Sequence, residues 1–244
     1  MKKIILRKFA LNQIRILIIL AIIINLGTLI YTLVKGKTDI QSYINNELST
    51  RIWLVILSIL VFFSTFLTDI IEKKEHIDIP DILEVIITLF IYAGILLSAQ
   101  FNLYYRFFWW DDLLHAISVL ITSSIGFLLL IKLNNKYSLK FNPLLISIFT
   151  FSFSLAIGVF WEILEFTSDA LIGSNHQRWN VDSSSILIGK SYQGYGLRDT
   201  MSDLIVTCFG AIIMAVFFYF IYKYHKAYIS KKMSKVIKDK VVIR

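Results

Sequence analysis

The chain has 244 residues, of which 57% are hydrophobic and 17% charged, and its mean hydropathy is +0.68. A soluble domain carries about 25% charged residues, so this composition excludes an ordinary soluble protein and indicates a membrane protein. No Pro-, Gly- or Ser-rich linker divides the sequence, which predicts a single integral membrane domain over residues 1–244. The one cysteine, Cys208, cannot form an internal disulfide.

Six apolar segments follow one another along the chain, each near the ~20 residues that cross the hydrocarbon layer. The first follows four basic residues, as a signal peptide would. Its apolar stretch is longer than the about 7–15 residues of a signal core, and no A-x-A-like site follows, so we expect a retained anchor. The fold class is therefore predicted to be all-α, a polytopic membrane helix bundle. Its spans are predicted near 14–34, 52–71, 82–100, 113–131, 144–168 and 204–222.

The basic residues predict the orientation of these spans. With the N-terminus inside, 18 Lys and Arg residues fall on the cytoplasmic side and 7 on the outer side. That excess predicts that both termini are cytoplasmic (N-in/C-in), with a long extracytoplasmic loop between the fifth and sixth spans. The basic cytoplasmic tail, residues 223–244, is expected to contact anionic membrane lipids. Nucleic-acid binding is not expected, because no aromatic-basic surface or known motif accompanies the tail.

Acidic residues and one histidine gather at one end of the last three spans. The spacing within each span places most of them on one helix face: Asp111 with His115, Glu162 with Glu165 and Asp169, and Asp199 with Asp203. Small or hydroxyl residues continue the same faces deeper into the membrane, a pattern that lets helices approach closely. The spans are therefore expected to pack together with the acids meeting above the seam. The three stripes are His115, Ser118, Thr122 and Gly126; Glu165, Glu162, Gly158 and Ser154; and Asp203, Thr207 and Gly210.

Each of these residues also has a structural explanation. Asp111 and Asp112 follow an aromatic interfacial belt and would favour a helix N-terminus, and Asp199 could be an N-cap. Asp69 and Glu84, at the ends of the second and third spans, are expected to extend towards water. Glu162 is the hardest to explain in this way, because it lies within or just below the interface and shares a face with Glu165.

The motifs WDDLLH (110–115), WEILEF (161–166) and GLRDTMSD (196–203) resemble the YjdF-like bacterial inner-membrane proteins. That family's pattern is an aromatic-D-x3-H, an E-x2-E and a D-T-x-S-D on successive spans. The similarity covers about residues 105–220, and a looser similarity to the VanZ-like membrane proteins also exists. The loop before GLRDTMSD is longer than in the family. The resemblance implies a multi-pass protein of the bacterial cell (inner) membrane and no established activity. The matching positions are Asp111, His115, Glu162, Glu165, Asp199, Thr200, Ser202 and Asp203.

Two classes of function compete. In the first, the cluster is a metal-dependent hydrolase or transferase site for a lipid or cell-envelope substrate. It would hold Mg²⁺, Mn²⁺ or Zn²⁺ through Asp111, His115, Glu162, Glu165, Asp199 and Asp203. Glu162, Glu165 and His115 are the expected catalytic residues, and Arg178 and Arg198 would hold an anionic headgroup.

In the second class, the chain is a non-enzymatic transporter, binding or accessory protein. A transport path needs polar groups through both halves of the membrane. The inner halves of the last three spans offer only hydroxyls and small residues on the stripes, which favours a one-sided site. No GxGxxG, Walker or GxSxG motif is present, so nothing predicts nucleotide binding or a serine triad.

Overall fold

A computed structural model of the protein describes residues 2–35, 41–75, 79–172, 175–177 and 194–241. The described residues fold into helices without strands, which confirms the all-α class. The α-helices are α1 (Lys2–Lys35), α2 (Gln41–Ser64), α3 (Leu67–Glu75), α4 (Asp81–Ile91), α5 (Ser98–Phe101), α6 (Leu103–Arg106), α7 (Trp110–Tyr137), α8 (Pro143–Ile172) and α9 (Tyr195–Val241), with a π-helical turn at Tyr92–Leu97.

In the part of the chain that the structure describes, six segments are long and apolar enough to cross a membrane, as the hydropathy predicted. They extend beyond the predicted ends because an apolar stretch marks only the hydrocarbon layer, whereas the backbone stays helical until a terminating residue. Ser138 after α7 and Asn102 after α5 take left-handed conformations, both with φ of 52°, that end their helices. The segments are Leu6–Val34, Leu48–Glu75, Asp81–Phe101, Trp110–Tyr137, Pro143–Leu171 and Tyr195–Lys226.

The chain divides into two compact units, the first being Met1–Phe108. In this unit α1 packs against α2 and α4 around an apolar core. The core residues are Ile14, Ile18, Ala21, Val61 and Leu96.

An ion-pair cluster lies at one end of this first unit, and it corrects the expectation that Glu84 extends towards water. Glu84 is fully buried, where it pairs with Arg7 and accepts a hydrogen bond of 2.9 Å from the Thr68 hydroxyl. Arg7 also lies 3.1 Å from Asp69 and 3.5 Å from Asp81. Burial of a carboxylate is tolerable because a guanidinium neutralises it. The cluster therefore joins α1 to α3 and α4.

The second unit, Trp109–Arg244, is built on α7, α8 and α9, each of which packs against the other two. Phe127 of α7 stacks on Phe218 of α9 with ring centroids 4.3 Å apart. In α9 the backbone departs from helical geometry at His225, where the apolar part of the helix gives way to the basic tail. The prediction of a single membrane domain over 1–244 stays a prediction. The buried core residues are Phe127, Leu130, Ile131, Ile146, Phe218 and Tyr222.

Candidate functional site

Glycines hold α7, α8 and α9 close together, as the small-residue stripes predicted. Each helix presents one glycine to a side chain of a neighbouring helix, and a β-carbon at any of the three positions would be closer than ordinary packing allows. A hydrogen bond of 2.7 Å between the Thr122 and Ser154 hydroxyls ties α7 to α8 on the same seam. The distances from such a β-carbon are 2.8 Å at Gly126 to Phe153, 2.6 Å at Gly158 to Thr207, and 3.1 Å at Gly210 to Val119.

Above this seam, one imidazole lies within reach of three carboxylates from three helices. Nε2 of His115 is 3.6 Å from Oε1 of Glu162, 3.8 Å from Oδ1 of Asp111 and 3.9 Å from Oδ1 of Asp203. All four residues are buried. Asp111 and His115 share a face of α7 because they are four residues apart, while Glu162 and Asp203 each lie one turn from the close α8–α9 contact. Close packing below the site thus brings the charged groups together.

Several carboxylate oxygens in this cluster have no hydrogen-bond donor. Among the described residues, Oδ2 of Asp203 accepts no hydrogen bond, although Asp203 is only 2% exposed. The Thr200 hydroxyl lies close to Glu162, which is 5% exposed, but neither oxygen of Glu162 has a donor in full hydrogen-bond geometry. A buried carboxylate without a partner costs several kcal/mol, in order of magnitude, unless it is neutralised. The arrangement therefore fits a group that brings positive charge: a cation, a bound proton, or a charged His115.

Asp111, His115 and Asp203 form a group that could hold one metal ion. A ligand atom from each lies within 4.8 Å of the others, and all three residues are buried. Carboxylate oxygens and an imidazole nitrogen are ligands for divalent metals. Glu162 lies beside this group and outside it.

The other two predicted ligands are also outside the group. Oε1 of Glu165 accepts a hydrogen bond of 2.7 Å from the indole N–H of Trp161, one turn earlier on α8. Asp199 is half-buried on α9, one turn before Asp203. Because α9 begins at Tyr195, Asp199 lies inside the helix and is not its N-cap.

Four further hydrogen bonds, which join α7, α8 and α9 to one another or to the turn at 175–177, were not predicted from the sequence. Ser202 donates a hydrogen bond of 3.1 Å to Asp112, which connects α9 to α7. Asp169 accepts the backbone N–H groups of His176 and Gln177 at 2.8 and 2.9 Å.

The side chain of Gln177 then donates to the Thr200 hydroxyl at 2.6 Å, linking this turn to α9. Thr200 and Ser202 stand in the DTMSD motif, the one sequence signal for these contacts. Arg198 is exposed and makes no ion pair with any described residue, and Arg178 lies outside the described residues.

Comparison with known proteins also indicates a membrane protein. A stretch of 149 residues is 27% identical to an uncharacterized protein of Thermotoga maritima, covering 61% of this chain and 67% of that protein. No solved structure matches the chain. A family described as "Predicted membrane protein (DUF2238)" matches residues 15–224, a range that includes all three motifs. With most of its length matched, this chain belongs to the DUF2238 family of predicted membrane proteins.

Proposed function

We propose that this protein is a metal-dependent hydrolase or transferase that acts on a lipid or cell-envelope substrate at the Asp111–His115–Asp203 site. The observation that carries the proposal is the convergence of carboxylates from three helices on Nε2 of one buried histidine, with three carboxylate oxygens left without donors. One ring nitrogen can donate only one N–H, whereas Nε2 of His115 lies within 4 Å of three carboxylates.

The chemistry follows from the residue types. A divalent cation held by Asp111, His115 and Asp203 would polarise a phosphoryl or acyl oxygen of the substrate. Glu162 lies beside the same histidine with both oxygens free of donors, so it is placed to take a proton. In a hydrolysis, the oxygen of water would form the new bond to phosphorus or carbon as Glu162 takes its proton. The leaving group departs with the electrons of the broken bond.

The depth of the site favours an amphiphilic substrate. His115 lies five residues into α7 and Asp203 eight residues into α9, or about 8 and 12 Å along those helices at ~1.5 Å per residue. An aromatic belt that includes Trp109 and Trp110 lies at the N-terminal end of α7 and indicates the membrane interface there. Groups at that depth are near the headgroup and ester region of a bilayer, which is where the polar end of a membrane-dissolved substrate lies. Arg198, exposed near the start of α9, would hold an anionic headgroup, and Arg178 is proposed to assist it.

The resemblance of the three motifs to YjdF-like proteins supports a bacterial inner-membrane location with the site on the outer face. The DUF2238 description names no activity, so the chemistry is proposed from the site alone. The rival, a transporter or binding protein, has less support. The described polar groups on the seam below the site, such as Thr122, Ser154 and Thr207, are uncharged.

The test is turnover by the purified protein in vesicles that contain phosphatidylglycerol, phosphatidylethanolamine and cardiolipin or a total envelope-lipid extract. Released headgroups, phosphate and fatty acids are followed by mass spectrometry with and without added Mn²⁺, Zn²⁺ or Mg²⁺. We expect a product that requires a divalent cation and is lost in Asp203→Asn. Asp112→Asn is the matched control, since it removes a carboxylate charge of α7 outside the metal group and keeps an oxygen that can accept the hydrogen bond from Ser202. Absence of product from a folded protein that binds the ion would favour the binding-protein alternative.

A further inference from the structure

We infer that the four buried groups divide into three ligands for one borderline metal ion, of which Zn²⁺ is the type, and one free carboxylate, Glu162. This inference rests on the proposed function, because it assigns roles within the same site. It departs from the broader set of six ligands that the sequence predicted. It also selects among the three metals that the sequence left open.

The composition of the group favours a borderline ion over Mg²⁺. Mg²⁺ prefers oxygen ligands and keeps several waters, whereas an imidazole nitrogen suits Zn²⁺ and similar transition ions. His115 is central to the cluster, since its Nε2 is the atom that three carboxylates approach. A site for Mg²⁺ would not be expected to use an imidazole nitrogen as a ligand.

The spacing of the ligand atoms points the same way. Asp111 and Asp203 place their oxygens 3.8 and 3.9 Å from Nε2 of His115. Neighbouring ligands are about 3.4 Å apart around a tetrahedral ion with bonds of ~2.1 Å. They are about 3.0 Å apart around an octahedral ion with the same bonds. The observed separations need the smaller adjustment to reach the tetrahedral value.

Charge balance separates Glu162 from the ligands. Two aspartates and a neutral histidine already neutralise a divalent ion, so charge balance does not require Glu162 as a further ligand. Glu162 is near the histidine but outside the group whose ligand atoms lie within 4.8 Å of one another. Three protein ligands with an open fourth position is also the arrangement of catalytic zinc sites. Glu162, as the free carboxylate next to His115, would then be the proton acceptor.

The experiment measures metal binding rather than turnover. The full-length protein, purified in detergent and stripped with chelator, is titrated with Zn²⁺, Mn²⁺ and Mg²⁺, and bound metal per chain is measured by elemental mass spectrometry. We expect about one Zn²⁺ per chain and weaker binding of Mg²⁺. Asp111→Asn, His115→Gln and Asp203→Asn should each weaken Zn²⁺ binding by more than about 100-fold. That exceeds the 10–100-fold typical of residues that only support a ligand. Glu162→Gln and the control Asp112→Asn should retain the ion within about tenfold.

Loss of the ion in Glu162→Gln to the same degree as in Asp203→Asn would overturn the division of roles and leave the proposed enzyme standing. Preference for Mg²⁺ would overturn the choice of ion in the same way. If no ion binds to the wild-type protein, both the division and the metal-dependent mechanism fail. Failure of the proposed function alone has a separate signature, namely stoichiometric Zn²⁺ with no turnover of any lipid. Size-exclusion profiles of each variant establish folding, and Asp203→Glu supplies a second ligand variant if Asp203→Asn does not fold.

Discussion

Replacement of Gly158 by alanine probes the close approach of α8 and α9 directly below the site. The new β-carbon would lie 2.6 Å from Cγ2 of Thr207, whereas carbon atoms in contact are about 3.5–4.0 Å apart. One of the two helices must therefore move by about 1 Å, or the threonine must leave its position. Gly158 and Thr207 are each one turn from a residue of the charged cluster, so the same movement separates Glu162 from Asp203.

The expected cost is that of overpacking a well-packed core, about 1–3 kcal/mol. Alanine also stabilises a helix by about 1 kcal/mol relative to glycine, which works in the opposite direction. Gly27 of α1 provides the matched control, because a β-carbon there would have no atom within 4 Å. Both variants gain the same helix propensity, so the difference between Gly158→Ala and Gly27→Ala isolates the contact and should be about 1–3 kcal/mol.

The assay is equilibrium unfolding of each variant in mixed detergent micelles, with the midpoint of thermal unfolding as a second measure. Thr207→Ser removes the offending methyl group and leaves Oγ1 as the nearest atom, at 3.4 Å. The double variant Gly158→Ala/Thr207→Ser should therefore recover most of the lost stability. If Gly158→Ala is as stable as Gly27→Ala, or if the serine restores nothing, the proposed seam does not hold these helices together.

Three further outcomes are expected. Gly126→Leu should lower the free energy of unfolding by about 1–3 kcal/mol through its contact with Phe153, whereas Leu120→Phe, on an exposed face of the same helix, should be tolerated; equal effects in thermal unfolding would contradict this. Arg7→Met should destabilise the first unit by up to about 3–5 kcal/mol in the same micelle assay, because it leaves Glu84 buried and unpaired, and Glu84→Gln should restore part of that loss in the double variant. Reporter fusions after Asn102 and within 175–195 should report the outer side and a fusion at Arg244 the cytoplasm; an external C-terminus would overturn the predicted orientation.

The helical class and the six membrane spans could be predicted from the sequence because both depend on local properties. A stretch of about 20 apolar residues identifies a span whatever surrounds it. The glycine and hydroxyl stripes also predicted which faces of α7, α8 and α9 would meet, since a 3.6-residue period fixes the face of every side chain. The contacts of Gly126, Gly158 and Gly210 confirm those faces.

The sequence pattern did not determine which residues come together in the charged site. The spacing placed Glu162 and Glu165 on one face of α8, yet in the structure Glu162 lies beside His115 while Glu165 bonds Trp161 of its own helix. The burial of Glu84 was likewise missed, because its partner Arg7 is 77 residues away in sequence. Helix periodicity specifies only the face of the helix on which a side chain lies. Which side chains on that face come within 4 Å of one another depends on the crossing of the helices and on rotamers, and these are fixed only when the helices pack together.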